Sequence, residues 1–392
     1  VDHAIFDRGV IAMKRVASNS DLRKIARRRV PKMFFDYVDG GAWTEATYRA
    51  NADDLARIRL KQRVAVDVSR RSAKSTILGQ KVSLPIGMSP TGLTGMVWPN
   101  GEIEVLKACE GAGIPYCLST VSIASVEDVA NAASAPFWFQ VYMVRDRDFI
   151  EKLIRRVEAA GVNTLVLTLD LQMSGQRNKD IHNGLSSPPK PTLRNIANLA
   201  TKPAWCLNML RYRKMEFGNL YGHVSQVSSP KSLSKWTDEQ FDPTLNWDDV
   251  KRLRERWKGK LVLKGILSPE DTGLAMDVGP DAIVVSNHGG RQLDGAPSTI
   301  EVLPNIVSTV AGRCEVLIDG GFTSGQDVFK GLALGADGVM MGRALLYGLG
   351  AGGRKGVAKA LAMIRHELET TMGLCGVNST AEIGPENLFH KA

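Results

Sequence analysis

The sequence predicts an α/β protein, a single (β/α)8 TIM barrel with one basic insertion between its fourth and fifth strands. Three observations predict it. A short apolar run followed by an amphipathic stretch recurs eight times along the chain. Several of the amphipathic stretches stop at "AAG" or "ALG", where glycine can take the left-handed turn that closes a helix. No G-x-G-x-x-G turn follows the first strand, which speaks against the alternative, an open doubly wound sheet. Each apolar run is too short for a helix and rich in Val, Ile, Leu or Met, the composition of a strand buried on both faces. Strands alternating with helices in this way form a parallel barrel.

The elements follow in order. The first strand is expected in Leu84–Ser89, with "EIEVLKACEGAG" as its helix. The second lies in Pro115–Thr120, before "SVEDVANAA". The third, Phe137–Tyr142, precedes "RDFIEKLIRRVEAAG", whose apolar residues recur three and four apart as one helix face requires. The fourth, Thr164–Asp170, leads towards the insertion, 186–236. After "WDDVKRLRERW" come the fifth strand, Lys260–Gly265, with "SPEDTGLAMDVG", and the sixth, Ala282–Asn287, with "TIEVLPNIVSTVAG". The seventh, Glu315–Gly321, is followed by "TSGQDVFKGLALG", and the eighth, Asp337–Arg343, by the C-terminal helices. Residues 1–392 read as one domain.

Composition bounds the function. A chain that is 44% hydrophobic and 23% charged is an ordinary folded globular protein and not a disordered one. The five cysteines, Cys109, Cys117, Cys206, Cys314 and Cys375, form no C-x-x-C pair, so neither a disulfide framework nor a metal site is expected, and a reducing cytoplasm suits them. The first eighteen residues lack the continuous apolar core of a secretory leader. No run of about 18 apolar residues is available to span a bilayer. Of the net charge of +9, +7 falls between Ser186 and Trp236.

In a barrel of this kind, chemistry collects where the strands end. Those ends carry Ser89, Pro90 and Thr91; Ser119 and Thr120; Gln140 and Tyr142; Thr168 and Asp170; Lys264; Ser286, Asn287 and His288; Asp319, Gly320 and Gly321; Gly342 and Arg343. A lone Ser or Gln at such a place caps the next helix; a ring of them is a ligand site. The glycines ending strands seven and eight, with Arg343 beside them, can gather backbone N–H groups around an anion, so a phosphate-bearing cofactor is implied. In "SNHGGRQLDG" an imidazole and a guanidinium stand three residues apart, and the glycines between them let both face one small molecule.

That stretch, with "DYVDGGA", "QVY", "LTLD", "KG" and "IDGG...GADGVMMGR" in the same order, resembles the family of FMN-dependent 2-hydroxy-acid dehydrogenases and oxidases from Ser20 to Asn387. The resemblance implies oxidation of an L-2-hydroxy acid to the 2-oxo acid with FMN as cofactor. On that reading His288 is the base, its ordinary pKa of about 6.5 leaving it mostly neutral, and Asp170 stabilises the imidazolium that forms. Arg291 and Arg177 grip the substrate carboxylate with a fork that lysine cannot reproduce. Tyr37 and Tyr142 add hydroxyls, and Lys264 holds the negative charge of the reduced ring. Pro90, Thr91, Gly92, Ser119, Gln140, Thr168 and Ser286 are expected on the isoalloxazine or ribityl chain, and Asp319, Gly320, Gly321, Gly342 and Arg343 on the ribityl and phosphate.

Departures from the family pattern carry information too. Thr323 stands where relatives often have an arginine for the phosphate, which shifts that task to Arg343 and backbone amides. Gly92 is similar to the glycine of the mandelate and bacterial lactate dehydrogenases, where oxidases have alanine. Val121 replaces the tryptophan of glycolate oxidases and leaves room for a larger substrate. Lactate is the first choice and mandelate the alternative, favoured by "VDVSRRS" and "SPTGLTGMVWPNGE". An oxidase making hydrogen peroxide is a further alternative. A non-catalytic membrane or nucleic-acid binding barrel is opposed by the intact His288, Arg291, Lys264 and Asp170.

The insertion mixes its cations with Trp205, Leu207, Met209, Leu210, Tyr212, Phe217, Tyr221 and Trp236. Cations beside exposed apolar groups predict a surface that lies on an anionic bilayer; a lid packed on the barrel and a stacking platform for nucleic acid are the alternatives. The insertion resembles the membrane-associated branch of the family. That implies peripheral placement on the cytoplasmic face of the inner membrane, quinone as electron acceptor, no nucleic-acid partner, and a homo-oligomer, a tetramer by family resemblance. Deletion of Ser187–Ser232 is expected to release the protein from membranes and leave cofactor reduction largely intact.

Overall fold

The computed structural model describes residues 15–185, 192–212, 216–220 and 241–389. Eight parallel strands pair in chain order: β1 (Ile86–Met88), β2 (Cys117–Ser119), β3 (Trp138–Tyr142), β4 (Thr164–Thr168), β5 (Lys260–Ile266), β6 (Ala282–Val285), β7 (Glu315–Ile318) and β8 (Gly338–Met341). β8 returns to pair with β1, and a bridge between Met88 and Tyr116 closes the cylinder.

Successive residues of each strand point to opposite faces, and here both faces are buried. Trp138, Val166, Val262, Val284, Leu317 and Met340 fill the inside of the barrel. Phe139, Leu165, Leu263, Ile283 and Ile318 face the helices outside. This double burial is why the strands read as near-continuous apolar runs.

A hairpin of Ser75–Ile77 and Gln80–Val82, not anticipated from sequence, sends Ile77, Leu78 and Val82 into the interior cluster. Leu78 N donates to Glu315 Oε2 at 2.7 Å, and Lys260 Nζ donates to the Leu78 carbonyl. The hairpin therefore plugs the amino-terminal end of the barrel.

Helices begin promptly after the loops because their first turns are capped. Ser125 with Asp128, Asn246 with Asp249 and Ser324 with Asp327 each form a capping box, worth about 1 kcal/mol apiece. The helix Arg147–Ala159 buries Phe149, Ile150, Leu153, Ile154 and Val157, the face its spacing predicts.

The expected strand ends at Asp170, Asn287, Gly321 and Arg343 lie beyond the observed ones at Thr168, Val285, Ile318 and Met341. These residues leave the ladder to face the rim. Three N-terminal helices, Asn19–Arg29, Lys32–Asp39 and Ala46–Arg57, cross towards that rim. Asp39 fixes the first two there, accepting from Arg23 Nε and Nη2 at 2.6 Å each and from Tyr347 Oη at 2.6 Å. Tyr347 lies in the C-terminal helix Arg343–Cys375, which is broken at Gly352 and Gly353.

The insertion enters between β4 and β5 as expected. Lys190, Arg213, Lys214, Tyr221, Lys231, Lys235 and Trp236 lie outside the described residues; what is described are the helices Leu193–Ala200 and Pro203–Tyr212 and the limb 216–220. The expectation of exposed aromatics is corrected here. Trp205 stacks on Phe34 at 5.5 Å and donates its Nε1–H to Met96 O at 3.1 Å. Tyr212 Oη donates to Asn100 Oδ1 at 3.1 Å, and Met209 and Leu220 are buried. Indole and phenol find polar partners on the barrel, which the aliphatic residues cannot do. Leu193, Ile196, Leu207 and Leu210 face outward instead. Among the described residues no helix is long and apolar enough to cross a membrane.

Candidate active site

After β6 the chain enters an unusual turn. His288 has φ +56°, and Gly289 and Gly290 follow at +64° and +72°. A left-handed non-glycine residue costs about 1–2 kcal/mol, so something must hold the turn. Asn287 does so: its Oδ1 accepts from Gly290 N at 3.0 Å and from Asn51 Nδ2 at 2.9 Å, while its Nδ2 donates to Asn51 Oδ1 at 2.8 Å and Pro297 O at 3.1 Å. His288 N donates to Ser286 Oγ at 3.1 Å. Asn51 was not anticipated, since one asparagine in an amphipathic helix carries no local signal of its distant partner.

The turn delivers the imidazole to Asp170, whose Oδ1 lies 2.9 Å from His288 Nδ1. Gly265 makes this possible, because a Cβ there would lie 2.8 Å from Asp170 Cβ. Gln292 Nε2 donates to Asp170 O and Met173 O at 2.8 Å each, tying the loops after β4 and β6 together. Burial lowers the pKa of His288 although Asp170 opposes it, with Lys264 and Arg177 adding to the lowering. Burial would raise Asp170, but His288 and Lys264 hold it below the usual carboxylate range. The pair is therefore a neutral imidazole beside a carboxylate. The Nδ1 proton faces Asp170, which leaves Nε2 as the acceptor.

Two guanidinium groups flank one aromatic ring. Arg291 lies 4.6 Å and Arg177 6.0 Å from the centre of the Tyr37 ring. Arg291 Nη1 also donates to the carbonyls of Tyr37 and Gly40. Arg177 Nη1 is 3.6 Å from Asp180 Oδ2. Burial and the adjacent Arg177 bring the pKa of Arg291 down to about 10, still charged at neutral pH. Burial raises the Tyr142 phenol, whose ring meets Phe241 edge-on at 6.0 Å.

Lys264 stands at the barrel mouth with Nζ 3.0 Å from Asp319 Oδ2 and donating to Ser286 Oγ at 2.7 Å. Burial alone would lower its pKa; Asp319 and Asp170 raise it instead. Arg343 is largely committed to the N-terminal segment, with Nε donating to Val38 O at 2.9 Å and Nη2 to Gly40 O at 2.7 Å.

All the sequence-predicted site residues line one cavity of about 660 Å³ except Asp170, Ser119, Thr120, Gln140, Ser286 and Asn287. Asp170 and Ser286 stand behind its wall, bonded to His288 and Lys264; Ser119 Oγ donates to Gln140 Oε1 at 3.1 Å. Gly92 and Val121 meet at one side of the cavity, where a Cβ on Gly92 would come within 2.8 Å of Val121 Cγ2. Pro90, Thr91 and Gly342 meet at another, and a Cβ on Gly342 would find nothing closer than Thr91 Cγ2 at 3.6 Å. Gly320 and Gly321 have φ +93° and +86°.

Ser89 Oγ, Gln140 Nε2, Thr168 Oγ1, Asp170 Oδ2, Arg177 Nε and Asp319 Oδ1 are buried without a hydrogen-bond partner, six of the nine such atoms among the described residues. Each would cost about 1–3 kcal/mol if left unpaired, so their gathering on one rim marks a ligand that supplies the partners. An amide donor, two hydroxyls, a carboxylate and a buried ammonium suit a ring edge of alternating donors and acceptors with a polyol chain, and so fit the FMN that the family resemblance implies. Asp180, Gln292 and Asn51 belong to this site and were missed from sequence.

Comparison with known proteins agrees with this geometry. The family model described as FMN-dependent dehydrogenase matches residues 26–390. An L-lactate dehydrogenase of Caulobacter vibrioides (strain NA1000 / CB15N) is 45% identical over 94% of this chain and 96% of its own. One of Pseudomonas syringae pv. syringae (strain B728a) is 44% identical over 94% and 97%. Among solved structures, the monotopic membrane protein (S)-mandelate dehydrogenase aligns with a TM-score of 0.91 at 37% identity, covering 96% of this chain and all of that one. A mandelate oxidase aligns at 0.82 and 35%, covering 96% and 98%.

Proposed function

We infer the reaction from one premise: the chain belongs to the family of FMN-dependent dehydrogenases. It is an oxidoreductase that uses FMN to oxidise an L-2-hydroxy acid to the 2-oxo acid, and L-lactate is the substrate proposed first. The observation that carries the reading is a half-buried His288 held against Asp170 in a cavity it shares with two arginines. Relatives named L-lactate dehydrogenase at 41–45% identity support the substrate. A second reading, L-mandelate, is favoured by the small residues Gly92 and Val121 on the cavity wall and by the mandelate dehydrogenase likeness.

In the mechanism proposed, Arg291 and Arg177, with the Tyr37 hydroxyl, bind the carboxylate. Tyr142 hydrogen-bonds the 2-oxygen, and His288 Nε2 removes a proton in the oxidation step. Asp170 then faces an imidazolium and stabilises it. FMN, when bound, takes up the two electrons. Lys264, Gln140, Ser119, Thr168 and Ser286 would hold its ring and ribityl chain, with Asp319, Gly320, Gly321, Gly342 and Arg343 towards the phosphate. Lys264, kept charged by its neighbours, favours negative charge developing beside it.

The acceptor and placement belong to the same reading. Leu193, Ile196, Leu207 and Leu210 are exposed beside Arg194 and Arg211, which supports peripheral attachment to an anionic bilayer and a quinone as oxidant.

The deciding experiment is the visible absorbance of the purified protein without oxygen, before and after L-lactate and then L-mandelate. Flavin bands that bleach establish cofactor and reaction together, and the faster acid ranks the substrates. Bands unmoved by both would reject the reading.

A further inference from the structure

The return limb of the insertion makes contacts that an anchor does not need. Asn219 is fully buried. Its Oδ1 accepts from Val126 N at 2.8 Å, and its Nδ2 lies within donating distance of Ser119 O at 3.3 Å, Thr120 O at 3.4 Å and Ser122 Oγ at 3.0 Å. Gly218 N donates to Ile123 O at 3.2 Å. A Cβ on Gly218 would lie 2.5 Å from Ser125 N, so the limb runs tight against the segment after β2. Phe217, the preceding residue, lines the cavity.

The gripped turn needs this support. Ser119 pairs with Gln140 in the sheet, and Thr120 is fixed by bonds to Gln140 O. Val121 to Ile123 lie beyond the ladder. On their far side Glu102, itself fully buried, accepts from Ile123 N at 2.9 Å and Gly95 N at 3.0 Å through one oxygen. Leu93 N donates to Val121 O at 3.2 Å. The turn is thus clamped between Glu102 and Asn219, and what it presents to the cavity is Val121. A Cβ on Gly92 would lie 2.8 Å from Val121 Cγ2 and 3.2 Å from Tyr37 Oη, so these three residues bound one narrow part of the cavity.

We propose that Asn219 is a positioning residue through which the insertion sets the space between Val121, Gly92 and Tyr37, and so selects the side chain of the 2-hydroxy acid. The proposal rests on the 2-hydroxy-acid reading above. Loss of the Asn219 amide leaves the carbonyls of Ser119 and Thr120 and the amide of Val126 without this partner. The part of the turn free to relax is the part outside the sheet, Val121 to Ile123, and of these Val121 is the one that lines the cavity. Ser119 stays fixed by its strand partner Gln140.

The test uses the full-length, FMN-loaded enzyme and measures kcat and KM for L-lactate and L-mandelate. Asn219→Ala is expected to change the ratio of the two kcat/KM values at least about fivefold, mainly through KM, with bound flavin and its visible spectrum retained; even one methylene of pocket fit is worth roughly tenfold or more. Asn219→Asp keeps the acceptor for Val126 N, loses the donors, and is expected to shift the ratio in the same direction. Val121→Ala should also move the ratio, and its effect should be non-additive with Asn219→Ala because both act through one turn. A ratio within about twofold of the unaltered enzyme in folded Asn219 variants, or strict additivity, would overturn the proposal. So would an unmoved ratio in Val121→Ala, which leaves Asn219 in place and does not depend on how its variants fold. Failure of the substrate reading looks different: neither acid would reduce the unaltered enzyme, and both ideas would fall.

Discussion

Asp170 Oδ1 lies 2.9 Å from His288 Nδ1, and the residue that keeps this contact open is Gly265, whose missing side chain is the space Asp170 occupies. The pair makes His288 a base with one free nitrogen.

A base must be neutral to accept a proton, and burial lowers the pKa of His288 below its ordinary value. The acid limb of kcat/KM against pH should therefore lie below about 6.5. Asp170 opposes the lowering, so Asp170→Asn should move the limb to still lower pH. The same variant should reduce kcat by about 10²–10⁴-fold, because the imidazolium loses its partner. A limb that moved to higher pH would contradict the assignment.

Arg291→Lys keeps a charge but loses the planar fork over Tyr37. We expect kcat/KM for the hydroxy acid to fall about 10²-fold or more, roughly 3 kcal/mol, with flavin content unchanged. Steady-state kinetics and absorbance on one preparation check both halves.

Two glycine substitutions should part company. Gly290→Ala places a Cβ 2.5 Å from Tyr48 N at φ +72°, and destabilisation of more than about 2 kcal/mol is expected. Gly342→Ala meets no protein atom closer than 3.6 Å, so its melting temperature should hold while the added methyl fills cofactor space and bound FMN falls. Thermal melts with and without added FMN distinguish the two.

The insertion has two faces with opposite expectations. Leu207→Ser with Leu210→Ser alters exposed residues, so stability should change by less than about 1 kcal/mol while sedimentation with anionic vesicles falls. Trp205→Ser removes the stack on Phe34 and should destabilise by about 2–4 kcal/mol. Vesicle sedimentation and denaturant melts read the two effects.

The barrel was legible because burial on both faces of every strand leaves an apolar run that neither a solvated strand nor a surface helix would show. The cavity residues were legible where they stand at or just past the carboxyl end of a strand, as Lys264, Asp170 and His288 do. Asn51, Asp180 and Asn219 were not. Each lies in a helix or in the insertion, away from the strand ends, and an isolated amide or carboxylate there has no periodic signature. The exposure expected of Trp205 and Tyr212 failed for a related reason. The insertion's composition is that of a surface, yet Trp205, Tyr212 and Asn219 find their partners on the barrel, so deleting Ser187–Ser232 would strip support from the wall of the site along with the exposed leucines.

The hairpin of Ser75–Val82, by stoppering the far end of the cylinder, leaves the rim as the one doorway that the described residues offer. Fuel, waste and oxidant must then queue at one threshold, the oxo acid departing before the oxidant takes its place. Such turn-taking has a kinetic fingerprint: double-reciprocal plots for the hydroxy acid at several acceptor concentrations should run parallel, as in a substituted-enzyme scheme.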